Sequence, residues 1–209
     1  IAIIPNGIRA DEFRVAADRD AYRRALGLPT EATLVGTVAA LTPQKGVAQL
    51  VRAAAAVHRE RPRVHLAVAG HGPLLPQLRR LAESLQASEA IHFLGQRDDV
   101  PQFLAALDMF VLPSLWEGLP YALLEAGAAG IPVIATAIPG NVDVIEHERS
   151  GLLVAPGDHL ELTLALFRAL DDPQMPRLAE ALRERVERDY SLERMIAGHV
   201  RLYEGLVQA

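Results

Sequence analysis

Apolar residues along this chain follow two alternating rhythms. Short, nearly continuous runs of β-branched and aliphatic residues occur at TLVGTVAAL (33–41), VHLAVAG (64–70), IHFLG (91–95), MFVLPS (109–114), PVIAT (132–136) and GLLVA (151–155). Between them, at 46–60, 73–86, 99–107, 120–130 and 140–147, apolar positions recur at three- and four-residue spacing. The first rhythm predicts strands and the second predicts amphipathic helices. Strands that read as Val/Ile/Leu runs are buried on both faces, and a strand followed each time by a helix builds a parallel sheet. The predicted fold is therefore α/β, a doubly wound parallel sheet of about six strands with its ligands outside the carboxyl ends of the strands. From residue 159 onward the pattern is helical only, with Ser191 a natural N-cap for the last helix. The opening IAII run meets turn chemistry at Pro5, Asn6 and Gly7. It reads as a chain entering the domain from elsewhere, with an N-terminal edge strand as the alternative.

Composition narrows this picture. Half of the 209 residues are apolar and 22% are charged, enough for a sizeable core and too polar for a membrane protein. No apolar run reaches the eighteen or so residues that span a bilayer, and the start lacks the basic and apolar regions of a signal peptide. A cytoplasmic protein is expected. The absence of cysteine excludes disulfides and thiolate metal sites. Net charge is −5, aromatics are 5%, and the basic residues scatter beside acids, as in LRERVERDY, so no nucleic-acid surface is expected. An anionic ligand must then be held by local devices.

Four such devices stand at the predicted strand ends. Lys45 is the only charged residue between Ala32 and Val51, and Gly46 follows it where a helix begins. A lone ammonium beside an open helix N-terminus suits a phosphate, although a solvated loop lysine reads the same way. Gly70 and Gly72 in AGHGP allow close backbone approach after a strand, but the third glycine of a dinucleotide fingerprint is missing. His71 there reads as an ordinary loop histidine. In PSLWEGLPYALLEAGAAGIPVIAT, Glu117 ends a strand-to-helix loop and Pro120 suits the first helical position. Glu125 is the only side chain expected to be charged between Gly118 and Val142, and no cation shares its helix face. A carboxylate in such surroundings needs a partner, and the vicinal hydroxyls of a sugar would satisfy both of its oxygens. Gly140 and Asn141 form a fourth turn, more simply read as a helix cap.

Taken together these segments resemble the C-terminal domain of retaining glycosyltransferases of the GT-B fold, the large glycosyl transferases group 1 family. The resemblance runs from IPNG to the last helix, and its most specific part is Glu-x7-Glu, here Glu117 to Glu125. The KG pair, the GHGP turn, FLGQRDDV and SGLLVAPGD follow in the family's order. The resemblance implies a Rossmann-like half of the fold with C-terminal helices: an interdomain crossover at 1–16, a nucleotide-sugar-binding domain at 17–190 and a C-terminal helix at 191–209. It implies that Lys45 contacts the donor diphosphate, that Glu117 reaches the donor sugar, and that Glu125 binds the ribose hydroxyls. Gly118 and the backbone N–H groups of Leu119 and Tyr121, around Pro120, would face the phosphates, Gln96 and Arg97 would lie by the base, and Gly70 and Gly72 would line the same cleft. The donor would be a UDP- or GDP-linked sugar, with no separate cofactor, and an N-terminal domain beyond these residues would hold the acceptor.

Two positions depart from the family pattern. Ala40 stands where an arginine is usual, and Gly140-Asn141 where two glycines are common. No metal is expected, because the only Asp-x-Asp triplet, Asp18-Arg19-Asp20, precedes a helical pattern that one of its acids would cap. Asp98-Asp99 and Asp171-Asp172 read as turns or helix starts. The competing readings are another GT-B enzyme, such as an epimerase or phosphorylase, and a non-catalytic nucleotide-binding domain.

Overall fold

The computed structural model describes residues 3–16 and 18–207. The first two residues of the IAII run, the expected boundary residue 17 and the last two residues of the C-terminal segment lie outside the described residues. The chain forms α1 (Arg19–Ala25), β1 (Thr33–Val38), α2 (Val47–Glu60), β2 (Val64–Ala69), α3 (Leu75–Ser84), β3 (Ile91–Gly95), α4 (Val100–Ala105) and β4 (Met109–Leu112). It continues through α5 (Tyr121–Ala128), β5 (Val133–Thr136), α6 (Asn141–Val144), β6 (Leu152–Val154), α7 (His159–Asp171), α8 (Met175–Asp189) and α9 (Leu192–Val207). The six strands are parallel, in the order β3-β2-β1-β4-β5-β6. This is the doubly wound α/β fold that the alternation of strand and helix patterns predicts.

Alternation along each strand assigns its residues to two cores. In β4, Met109 and Val111 join Val51, Val57 and Leu66 in one layer under α2 and α7. Phe110 and Leu112 join Phe103, Leu123, Leu124 and Val186 in the other, under α4, α5 and the C-terminal half of α8. All four residues of β4 are buried, as a central strand covered on both faces requires. Residues 3–7 carry no strand, and Ile8 makes only an isolated parallel bridge to Ser191. The Ile8 amide donates to the Tyr190 carbonyl at 2.9 Å, and the Leu192 amide to the Ile8 carbonyl at 2.9 Å. The segment thus docks where α8 passes into α9 instead of extending the sheet.

Boundaries shift where tertiary contacts compete with local pattern. The first strand ends at Val38, not at 41, because the chain leaves the sheet and runs beside the turn after β2: the Leu41 amide donates to the His71 carbonyl at 2.9 Å. Pro120 occupies the N-cap position, so the predicted first helical residue lies one place outside α5. The predicted helix over 140–147 is the four-residue α6, after which the chain turns to enter β6. Asp18 caps α1, accepting from the Ala21 amide at 3.0 Å, and the Ser191 hydroxyl accepts from the Arg194 amide at 3.2 Å.

One buried charge pins the lower edge of the sheet. The Arg23 side chain is 4% exposed and donates to the carbonyls of Thr30, Ala32 and Ala106 and to Asp108 Oδ2, the last at 2.8 Å. Asp108 also accepts from the Leu34 amide at 2.7 Å, so a single carboxylate ties α1 to the starts of β1 and β4. Burial pushes the Asp108 carboxyl up, but the Leu34 amide and the Arg19 and Arg23 guanidinium groups outweigh it and hold the pKa below its ordinary value. Stability from this carboxylate is therefore present above the ordinary carboxylate pKa and is lost as pH falls through the depressed value. Replacing Arg23 with Met takes the side-chain donor from the Thr30 and Ala32 carbonyls and one of its three partners from Asp108, at a cost of about 3 kcal/mol after allowance for the partial exposure of Asp108. Urea denaturation at pH 7 and at pH 3 checks this: the Asp108-dependent part of the loss should shrink at the lower pH, and an R23M midpoint equal to wild type at pH 7 would refute the assignment.

Candidate functional site

β1 and β4 are neighbours in the sheet, yet α2 leaves β1 toward one face and α5 leaves β4 toward the other. The two connections diverge and open a crevice above the carboxyl ends of the strands, the position where doubly wound sheets bind ligands. A cavity of about 630 Å³ fills this crevice. Its walls include Ala39, Ala40 and Lys45 after β1, Gly70 and His71 after β2, Gln96 and Arg97 after β3, and Glu117 with residues 119–122 at the start of α5.

The loops after β1 and β4 are fastened to each other. Residues 43–45 form a 3-10 turn, and Gly46 leaves it with φ of 59°. A Cβ at Gly46 would lie 2.0 Å from the Pro113 carbonyl oxygen, so only glycine permits this approach. The Leu115 amide donates to the Gln44 carbonyl at 2.7 Å, and Gln44 Nε2 donates to the Trp116 carbonyl at 2.9 Å. This clasp brings Lys45 Nζ to 2.5 Å from Glu117 Oε1. The same oxygen accepts from Ser114 Oγ at 2.7 Å. The Glu117 side chain is only 8% exposed and the Lys45 side chain 23%. Two residues 72 apart in sequence thus form one ion pair on the cleft wall.

The β2 side is built by backbone contact. Gly70 has φ of 144°, its amide donates to the Gly95 carbonyl at 2.7 Å, and a Cβ there would meet the Ala39 oxygen at 1.9 Å. Gly72 packs against the Leu41 backbone and does not line the cavity, which corrects the expectation that both glycines face it. Gln96 and Arg97 do reach it. The Arg97 guanidinium is turned to Asp99, with Nε donating to Oδ1 at 2.8 Å, and this hydrogen bond chiefly holds the Asp99 carboxyl below its usual range. What Arg97 offers a ligand is therefore mainly backbone.

α5 begins at the cavity. Leu119, Pro120, Tyr121 and Ala122 line it, and no side chain caps the helix, so its first amides are unclaimed by a capping group. Gly118 instead borders the adjacent groove beside the α8–α9 junction. Glu125 follows Tyr121 and Ala122 by one turn on the same side, behind the residues that line the cavity. It makes no hydrogen bond or ion pair with any described residue, and burial pushes its carboxyl above the ordinary carboxylate range. The isolation that the sequence shows around Glu125 is thus kept in three dimensions.

Polar residues outside the sequence-predicted set also build the site. His71 borders the cavity; Asn6 does too, and its Nδ2 donates to the Leu119 carbonyl at 3.0 Å. Ser114, which holds Glu117, is fully buried. The sequence marks Asn6 only as a turn residue and Ser114 only as a strand end, because the contacts that give them meaning span the fold.

Comparison with known proteins places this geometry in a family. The profile of the glycosyl transferases group 1 family matches residues 18–189. The chain is 30% identical to an Escherichia coli UDP-Gal:alpha-D-GlcNAc-diphosphoundecaprenol alpha-1,3-galactosyltransferase, over 99% of this chain and 54% of that protein. The sucrose-phosphate synthase of Thermosynechococcus elongatus matches at 30% identity with a TM-score of 0.87, over 99% of this chain and 53% of its own. The Anabaena protein HepE, solved in complex with UDP-glucose, shares the fold with a TM-score of 0.89 at 24% identity, over 100% of this chain and 57% of its own. The chain thus spans about half the length of the relatives it matches. No helix among the described residues is long and apolar enough to cross a membrane. With the six-stranded parallel sheet and the switch-point cleft, the family match establishes that this chain belongs to the glycosyl transferases group 1.

Proposed function

We propose that this chain is the nucleotide-sugar-binding domain of a retaining, cytoplasmic hexosyltransferase that uses a UDP- or GDP-linked sugar without a metal ion. The acceptor would be held by an N-terminal domain, with residues 1–16 as the crossover and 191–209 as the returning helix. The observation that carries the reading is the cleft itself: Lys45, Glu117 and the uncapped start of α5 meet there, with the unpartnered Glu125 one turn behind.

In this reading Glu125 accepts hydrogen bonds from both ribose hydroxyls, which gives a half-buried carboxylate the partners it lacks in the protein. Lys45 and the α5 amides around Leu119 and Tyr121 take the diphosphate, Gln96 and Arg97 border the base, and Glu117 reaches a hydroxyl of the donor sugar. As the bond between the anomeric carbon and the diphosphate breaks, negative charge grows on the leaving oxygens. A fixed ammonium and oriented amides in a half-enclosed cleft stabilise that charge without reorganising. Of the acidic motifs Asp18-Arg19-Asp20, Asp98-Asp99 and Asp171-Asp172, one acid of each of the first two and both of the third are engaged elsewhere: Asp18 caps α1, Asp99 pairs with Arg97, Asp171 pairs with Arg61, and Asp172 accepts from the Gln174 amide. Ala40 favours a second reading. Its methyl group lines the cleft where the family usually carries an arginine, so a domain that binds the donor without transferring the sugar is the alternative.

Three outcomes are expected. The 209 residues should bind UDP or GDP equally well in EDTA and in millimolar Mg²⁺ and should catalyse no multiple-turnover transfer. A tenfold loss of affinity with chelator, about 1.4 kcal/mol, would show that a metal carries the diphosphate charge, and turnover by these residues alone would remove the need for a separate acceptor domain. Lys45→Ala should weaken the nucleoside diphosphate by about tenfold or more while leaving the nucleoside within about twofold, read by calorimetry. Equal effects on the two ligands would take Lys45 off the diphosphate.

Glu125→Gln should weaken nucleotide binding by roughly 1.5–3 kcal/mol, one to two decades. The same change should raise the melting temperature at neutral pH. The folded pKa of Glu125 lies above its unfolded value, so its contribution to stability is present below the ordinary carboxylate pKa and lost as pH rises through the raised value. The stability gain of E125Q should accordingly be absent near pH 4 and open as pH increases. A melting gain that does not change with pH, or unaltered affinity, would sink this assignment.

A further inference from the structure

Glu117 presents its two oxygens unequally. Oε1 accepts from both Lys45 Nζ at 2.5 Å and Ser114 Oγ at 2.7 Å. Oε2 has no hydrogen-bond partner among the described residues and stays accessible to solvent, on a residue that lines the cleft. An ionised carboxylate accepts up to about four hydrogen bonds, and here the protein takes them on one side only.

Ser114 is itself held at its other end. It is fully buried, and its carbonyl accepts from Thr136 Oγ1, at the end of β5, at 2.5 Å. The Thr136 carbonyl accepts from Asn141 Nδ2 at 2.9 Å, and Asn141 is also fully buried. A line of buried polar groups thus runs from the start of α6, across the ends of β5 and β4, to the Glu117 carboxylate. Buried polar groups linked this way are rigid, since each loses its partner if the next one moves.

We propose that Ser114 is a positioning residue for the donor sugar: by claiming Glu117 Oε1 together with Lys45, it fixes the carboxylate so that Oε2 alone is offered to a sugar hydroxyl. This rests on the proposed donor site and adds to it a residue that touches no ligand. Without the Ser114 hydroxyl, Lys45 alone holds Glu117, and a single ammonium fixes the distance of a carboxylate but not its rotation. The donor's diphosphate, met by Lys45 and the α5 amides, would be little affected. The glycosyl group would lose its oriented acceptor.

The test compares UDP with UDP-glucose, and GDP with GDP-mannose, by calorimetry on wild type, Ser114→Ala and Thr136→Val, each with a thermal melt. In S114A, affinity for the sugar nucleotide should fall by about tenfold relative to wild type while that for the bare diphosphate changes by less than about twofold. T136V keeps its shape, releases the Ser114 carbonyl together with the longer contacts of Thr136 Oγ1 to Asn141 Nδ2 and the Leu112 carbonyl, and should show the same split with a smaller ratio. This second variant keeps the test open should S114A fold poorly. A parallel loss for diphosphate and sugar nucleotide that tracks the drop in melting temperature would make Ser114 merely structural and overturn the proposal, as would an unchanged ratio in both variants. Failure of the wild-type protein to bind either diphosphate would instead overturn the donor-site reading itself.

Discussion

The site exists because two adjacent parallel strands send their crossovers to opposite faces of one sheet. β1 feeds α2 and β4 feeds α5, and each helix must cover its own apolar layer, so the chain above the strand ends parts and leaves a crevice. Right-handed crossovers and burial of both sheet faces make this opening unavoidable in the strand order seen here. The crevice alone would be wide and soft. It becomes a site because the loops on its two sides touch: Gly46 lies against the Pro113 carbonyl, Gly70 against that of Ala39, and Gln44 bonds the backbone of both Leu115 and Trp116. At the two glycines a single Cβ would separate the walls by more than an ångström. The geometry of the charged groups is thus set by backbone packing, which resists displacement far better than long side chains do.

Charge in the cleft is arranged differently from charge on the surface. Most ion pairs among the described residues lie at exposed positions, as in Arg61–Asp171 and Arg188–Asp189, where such pairs contribute little to stability. In the cleft the Lys45–Glu117 pair is largely withdrawn from solvent, and one turn behind it Glu125 is half-buried with no partner among the described residues. Neither arrangement is what stability alone would select. A buried ion pair roughly offsets its own desolvation, and an unpaired buried carboxylate opposes folding. Arg23 shows the contrast: it is more deeply buried than Lys45, yet it bonds three carbonyls and a carboxylate, leaving nothing over for a ligand. Two carboxylates keep unused hydrogen-bonding capacity on this side of the sheet: one oxygen of Glu117, which lines the crevice, and Glu125, one turn behind the residues that line it.

Much of this was legible in the sequence because it depends on short-range pattern. The strand runs at 33–38, 109–112 and 133–136 are Val/Ile/Leu-rich because each is sandwiched between helices, and that environment writes itself into every residue of the run. The isolation of Glu125 was equally visible, since its empty charge environment along the chain persisted in space, whereas Lys45, as isolated in sequence, meets Glu117 in the fold. What local pattern hides is register between distant segments. Nothing near Gly72 tells that it packs on Leu41 while Gly70, two residues earlier, lines the cleft. Nothing near residue 39 tells that the strand must stop at Val38 to let the following loop run beside His71.

The same limit explains why the supporting residues escaped notice. Ser114 and Thr136 are small polar residues at the ends of apolar strands, a position where hydroxyls commonly satisfy stray backbone groups. Their meaning lies in the order in which the sheet stacks β4 beside β5, which brings the Thr136 hydroxyl to the Ser114 carbonyl. Asn6 is more remote still: it reaches Leu119 across 113 residues, and only because Ile8 is fixed between Tyr190 and Leu192. The N-terminal segment, the α8–α9 junction and the loop that opens α5 therefore form one mechanical unit at the cleft wall. In this fold the cleft and the chain's two terminal segments share one set of hydrogen bonds.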